Sequence, residues 1–176
     1  MAIVHVKSGL VTNLDASPAV APTAGEGGAA RLKVIEGTAT LTASATIDST
    51  FQFVRVPSTA KIKKVFLESA AQTSCSVDVG VYYATDGQGG KPAALLASQA
   101  IDQDFFASAV NLSNAVAITD ITNESGTYTA DKRVQPLWQA VGLTADPGGS
   151  LDIAATVQAN ATTGGGLMGM TVYYAE

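Results

Sequence analysis

Residues 151–159 read LDIAATVQA, and residues 75–83 read CSVDVGVYY. In the first stretch Leu151, Ile153, Ala155, Val157 and Ala159 share one parity, while Asp152, Thr156 and Gln158 share the other. Successive side chains of a strand point to opposite sides, so this alternation predicts a β-strand with one face on a core and one in water. The second stretch repeats the arrangement, with Cys75, Val77, Val79, Val81 and Tyr83 set against Ser76, Asp78 and Tyr82. It places Cys75 on the core side, where a thiol is inert and structural.

Outward from these two segments, the chain keeps the same character from residue 31 onward. Short runs of Val, Ile, Thr, Tyr and Phe alternate with Gly, Pro, Asp and Asn. Strands are predicted over residues 31–41, 50–56, 61–69, 74–84, 128–129, 135–143, 151–159 and 167–174. Turn residues separate them: Val56-Pro57-Ser58, Asp86-Gly87 with Gly89-Gly90, Asp146-Pro147-Gly148-Gly149, and the glycines Gly164, Gly165 and Gly166. One short helix is predicted over residues 103–110, with Asp102 capping its first amides and Ile101 packing on Phe106 as a hydrophobic staple. The chain therefore reads as all-β: a jelly-roll-like antiparallel β-sandwich of about eight strands, with one short helix and an extended N-terminal arm. An immunoglobulin-like sandwich is the alternative, because strand count does not dictate strand order.

Residues 15–30, DASPAVAPTAGEGGAA, carry no hydrophobic period and read as a linker. The chain thus divides into an arm and linker, residues 1–30, and a β-sandwich domain, residues 31–176. The arm carries Ile3, Val4, Val6, Leu10 and Val11. An apolar segment of this length is not stable alone, so it must dock, on its own domain or as a strand added to a neighbour.

The 176 residues suffice for one domain with a core. Only 14% are charged, against the usual quarter, while 47% are hydrophobic, much of that Ala and Val. So weakly charged a surface suits a protein packed against neighbours. The net charge is −5 and no basic cluster is denser than Lys61, Lys63 and Lys64, so nucleic acid is not an expected partner. That triplet reads as a solvated strand edge. The apolar N-terminal stretch is interrupted by His5, Lys7 and Ser8 and is neither a signal peptide nor a membrane span, and no membrane partner is expected. The Asn-x-Ser/Thr triplets at Asn111, Asn123 and Asn160 read as chance in a Ser/Thr-rich chain.

Catalytic constellations are hard to assemble from these residues. His5 is the single histidine and Cys75 the single cysteine, which leaves no catalytic residues for a Ser-His-Asp or Cys-His device and no ligand set for zinc. Asp86, Asp102, Asp104, Asp120 and Glu124 lack the spacing of a calcium loop and read as solvated loop acids. Gly87-Gln88-Gly89-Gly90-Lys91 departs from a phosphate loop, since Pro92 follows the lysine and Thr85 stands where the first glycine belongs. No enzyme, metal or cofactor is expected. Tyr82-Tyr83 and Tyr173-Tyr174 each end a strand, with one ring in and one out. Tyr82 and Tyr173 are candidate interface or sugar-stacking residues beside the arm residues, the plainer reading being edge packing. Trp138, opposite in parity to Leu137, Val141 and Leu143, is expected to be buried.

The order of FQFVRVP (51–57), AKIKKVFL (60–67), VDVGVYY (77–83), IDQDFFASAVNL (101–112), Leu137-Trp138 and a glycine-rich ending resembles the head-decoration, or cement, proteins of tailed bacteriophages and related β-sandwich virion modules. The resemblance spans residues 31–176 and carries no catalytic residue. It implies a protein made in the host cytoplasm that sits on the outer capsid surface, partners the major capsid protein and itself, as a trimer at threefold positions, and bridges neighbouring subunits. The acidic charge agrees with an outward position. A tail, neck or fibre component, or a carbohydrate-binding jelly roll with an exposed aromatic platform, are the rival readings.

Overall fold

The computed structural model of the chain describes residues 16–21, 30–84 and 100–176. Eight strands make up most of it: β1 (Leu32–Thr40), β2 (Thr50–Pro57), β3 (Lys61–Ser69), β4 (Ser76–Tyr83), β5 (Ala100–Asn111), β6 (Val116–Asp120), β7 (Ser150–Ala159) and β8 (Leu167–Ala175). They form two four-stranded sheets, ordered β1-β8-β3-β6 and β2-β7-β4-β5. Four antiparallel pairs, β1 with β8, β2 with β7, β3 with β6 and β4 with β5, are laid alternately on one sheet and the other. Pairing of β3 with β8 and of β4 with β7 then completes each sheet. This is one long ribbon rolled up, the jelly roll, and the immunoglobulin-like order is excluded.

The core lies between the sheets. Val77, Val79 and Val81 pair with Val157, Ala155 and Ile153, and all six are buried, as their parity predicts. Ile62, Val65, Leu67, Met168, Met170 and Val172 face them from the other sheet. Cys75 is fully buried in this cluster, and burial pushes its thiol pKa up, so it is structural as expected.

Four expectations are corrected. Residues 103–110 are not a helix: they belong to strand β5, and its irregularity is what hid it. Val79 and Val81 sit on one face of β4 but pair with Ala107 and Asp102, so residues 103–106 bulge out of the ladder. Phe105, Phe106 and Ala107 are buried consecutively, a run that shows none of the alternation of a strand with one wet face. Asp78 holds it from β4, its Oδ1 accepting the Ala109 N–H at 2.7 Å and its Oδ2 accepting from Gln103 Nε2 at 3.0 Å. Ala109 takes φ +52° in a second slip of the same ladder, where Ser108 and Ala109 stand opposite Asp78.

Residues 128–129 and 135–143 are not strands. Tyr128 lies in a connection, and residues 132–140 form a 3-10 turn (Lys132–Val134) and one helical turn, α1 (Leu137–Ala140). Pro136 opens α1, where a missing N–H costs nothing. The Leu137 and Trp138 amides donate to Ala60 and Ser58 carbonyls, and Leu137 and Ala140, three apart, both face the core. The Lys61, Lys63 and Lys64 segment pairs with β8 alone, because β6 reaches β3 only from Phe66 to Ser69, and its other side is met by connections rather than by a strand. Lys63 Nζ donates to the Arg133 carbonyl at 2.8 Å, and Lys64 pairs with Asp120. Finally, the second face of β7 is dry at Asp152 and Thr156, which are fully buried, and wet only at Gln158. The loop residues Asp86 to Lys91 lie outside the described residues.

Candidate interaction surface

The sandwich has two outer faces, and they differ. On the β2-β7-β4-β5 sheet, Asp78, Gly80 and Tyr82 of β4 stand beside Thr156, Ala154 and Asp152 of β7, and every one is buried. A buried carboxylate is tolerated only when well partnered. Asp152 accepts from Arg55 Nε at 2.6 Å, Arg55 Nη2 at 3.0 Å and Gln52 Nε2 at 2.7 Å, a fork that satisfies both oxygens. Tyr82 hydrogen-bonds Thr156 through its hydroxyl, and burial pushes its pKa up to about 12. The centre of this face is buried, while Gln52 and Gln158 at its margins are exposed.

The outer face of β1-β8-β3-β6 is open. Its register sets Val34, Tyr173 and Lys64 in one row, Glu36, Thr171 and Phe66 in the next, and Thr38, Gly169 and Glu68 in a third. Val34 is 52% exposed, Leu167 57%, and Ile118 on edge strand β6 72%. Phe66 and Tyr173 meet edge to face, with centroids 5.8 Å apart, and are half-buried. Between these rings and Ile118 lies a shallow depression of about 260 Å³, lined by Glu36, Phe66, Leu67, Glu68, Ile118, Gly169 and Thr171. The glycine opens its floor, since a Cβ at residue 169 would lie 2.7 Å from the Glu68 carboxylate.

Edge strand β6 is fastened by Asp120. Desolvation alone would raise its pKa, but hydrogen bonds from Lys64 and from the Thr122 hydroxyl and amide, with the Lys64 charge, outweigh it and hold the carboxyl at about 2. A carboxyl depressed on folding adds stability above its unfolded pKa of about 3.9, and this is lost as pH falls toward 2. The pair is partly exposed and screened, so the contribution is at most about 1 kcal/mol. We expect the Asp120 carboxyl to titrate near pH 2 by NMR, and Asp120→Asn to flatten the loss of stability between pH 4 and pH 2. A midpoint at the ordinary aspartate value contradicts this fastening.

Of the residues singled out in the sequence, Ile3, Val4, Val6, Leu10 and Val11 lie outside the described residues, as does His5. Tyr82 and Tyr173 do not come together, because β4 and β8 belong to opposite sheets. Tyr82 is buried rather than exposed, and its neighbour Tyr83, expected inside, is 43% exposed where β4 leaves the core. Tyr173 borders the open face. Trp138 is half-buried on α1 and packs on the core, so Tyr82, Tyr173 and Trp138 form no shared platform. Among the described residues, no group of three or more His, Cys, Asp or Glu side chains stands close enough to hold a metal ion. Sequence reasoning missed Phe66, Glu36, Glu68 and Ile118. A signal existed for the first: Phe66 shares the parity of Lys64 and Glu68, opposite to Val65 and Leu67, so an outward ring was legible.

No protein-family model matches the sequence, and no curated protein does. Among solved structures, a chain in the capsid of Ralstonia phage GP4 superposes with a TM-score of 0.56, over 83% of this chain and 84% of that one, at 14% identity. A chain of the cyanophage Pam1 capsid asymmetric unit aligns with a TM-score of 0.49, over 83% of this chain and 85% of its own length, at 19% identity. At such identities the likeness is one of fold.

Proposed function

We propose that this chain is a structural protein of a tailed-phage particle, which binds the outer surface of the assembled shell and stabilises it by bridging neighbouring capsid subunits. The observation that carries this reading is the fold shared, over most of both chains, with a chain in the capsid of Ralstonia phage GP4. Fold alone does not assign function, and three features of the chain add support. Its charged content is 14%, which suits a surface covered by neighbours. The centre of one face of its sandwich is buried while the other face offers rings and aliphatic side chains to a partner. Its net charge is negative, as suits a position away from packaged DNA.

Such a protein acts by mass action. Binding the assembled shell and not its free subunits, it stabilises the assembly by the difference in affinity. The arm residues Ile3, Val4, Val6, Leu10 and Val11 are the proposed fastener, donated as a strand across the interface, and the chain itself is the second partner, as a trimer where the lattice has threefold positions. A tail, neck or fibre component is the alternative reading.

Quantitative mass spectrometry of purified particles of the phage encoding this chain tests the reading. A copy number equal to that of the major shell protein, or a simple fraction of it, is the expected result. A handful of copies per particle moves the protein to the tail or neck, and its absence from particles overturns the proposal.

A further inference from the structure

We infer that the open face of the β1-β8-β3-β6 sheet is the docking surface, and that its occupant is a shell-protein surface presenting an arginine or lysine to the depression between Glu36 and Glu68. This rests on the proposed role in a phage shell and names the surface and the chemistry that role would use.

Charge complementarity identifies the occupant. Of the ion pairs formed among the described residues, two involve this sheet: Lys33 with Glu176, and Lys64 with Asp120. Each cancels. Glu36 and Glu68 line the same depression and have no cationic partner among the described residues; Glu36 accepts a hydrogen bond from the Thr171 hydroxyl at 3.3 Å. The remaining charge of the depression is therefore negative on both sides, while its walls are Phe66, Ile118 and, at one end, Tyr173. A simple cation would gain nothing from those walls. An arginine or lysine would, because its methylene stem packs on rings while its charged head reaches carboxylates, and a guanidinium also stacks on an aromatic face. The apolar residues outside the depression, Val34 and Leu167, extend the surface and match the apolar centre of a protein interface. On the opposite face Asp78 and Asp152 are buried and already partnered, the first by Gln103 and the Ala109 amide, the second by Arg55 and Gln52.

The test uses shells purified from particles grown without this chain, with the full-length protein added back and bound copies counted after co-sedimentation. Glu36→Gln/Glu68→Gln keeps shape and removes charge; Glu36→Lys/Glu68→Lys reverses it; Glu176→Gln, at the edge of the sheet, is the control. Both glutamates are exposed, so thermal melting should confirm that the variants fold. The expected result is at least a tenfold weaker binding for the Gln pair, loss of binding for the Lys pair, binding like the unaltered protein for the control, and a gap between the unaltered protein and the Gln pair that narrows as salt rises. If the unaltered protein binds shells and both glutamate pairs bind equally well, this inference is wrong and the shell role stands. If the unaltered protein does not bind at all, the shell role fails and takes this inference with it. If the substitutions change self-association in sedimentation velocity and leave shell binding intact, a second copy occupies the face and the inference is likewise overturned.

Discussion

Gly80→Ala is expected to cost at least about 3 kcal/mol of stability, the upper end of what inserted volume costs in a packed core. The reason is the β5 bulge. A Cβ at residue 80 would lie 2.1 Å from the Asp102 carbonyl oxygen and 2.3 Å from that of Gln103, both backbone atoms. A side chain could rotate away, but these carbonyls could move only by separating β5 from β4. Gly126→Ala is the matched control: its φ of +79° strains an alanine, yet nothing lies within 4 Å of the added carbon, so the cost there is about 1 kcal/mol. Urea unfolding of the two variants separates close approach from backbone conformation. Equal losses would show that β5 does not lie over Gly80.

The second large effect is expected at Tyr128. Its ring stands 5.1 Å from that of Phe105 and 5.2 Å from that of Phe106, and these two are 5.0 Å apart, so three buried rings close this side of the core. Its hydroxyl donates to the Ile62 carbonyl at 2.7 Å. That carbonyl sits where β3 slips by one residue against β8, between Ile62 and Lys64, so the tyrosine serves a break in the ladder. Tyr128→Ala removes ring and hydrogen bond together and is expected to cost about 3 to 5 kcal/mol. Tyr128→Phe keeps the ring and is expected to cost about 1 to 2 kcal/mol, for one carbonyl left unpaired. Equal urea midpoints for Tyr128→Phe and the unaltered protein would remove the hydrogen bond from this account, and a loss under about 1 kcal/mol for the alanine variant would remove the ring cluster.

Several features were legible in the sequence because they depend on neighbours along the chain. The alternation of Val77, Val79 and Val81, and of Leu151 and Ile153, set which side of each strand meets the core, since a strand's side-chain period is fixed by its backbone. The same parity buried Cys75. The Asp146-Pro147-Gly148-Gly149 turn was equally plain, with the Asp146 carboxylate accepting the Gly148 N–H at 2.9 Å and both glycines at φ +72°.

What failed did so where distant residues overrode a local signal. Asp102, after Ile101 and before Phe105 and Phe106, has the look of a helix start, but the carboxylate that organises this segment is Asp78, from another strand. Asp152 has the look of a wet position until Arg55 and Gln52 of β2 are brought beside it. The contrast between the two outer faces belongs to the same class. By itself the sequence determined a two-layered β fold, its inward side chains and the absence of an evident catalytic set. Only the tertiary structure decided the rolled strand order, the burial of the centre of one outer face, and the gathering of Phe66, Glu36, Glu68 and Ile118 on the other, because these arise from pairing between strands far apart in the chain, where no sequence period reaches.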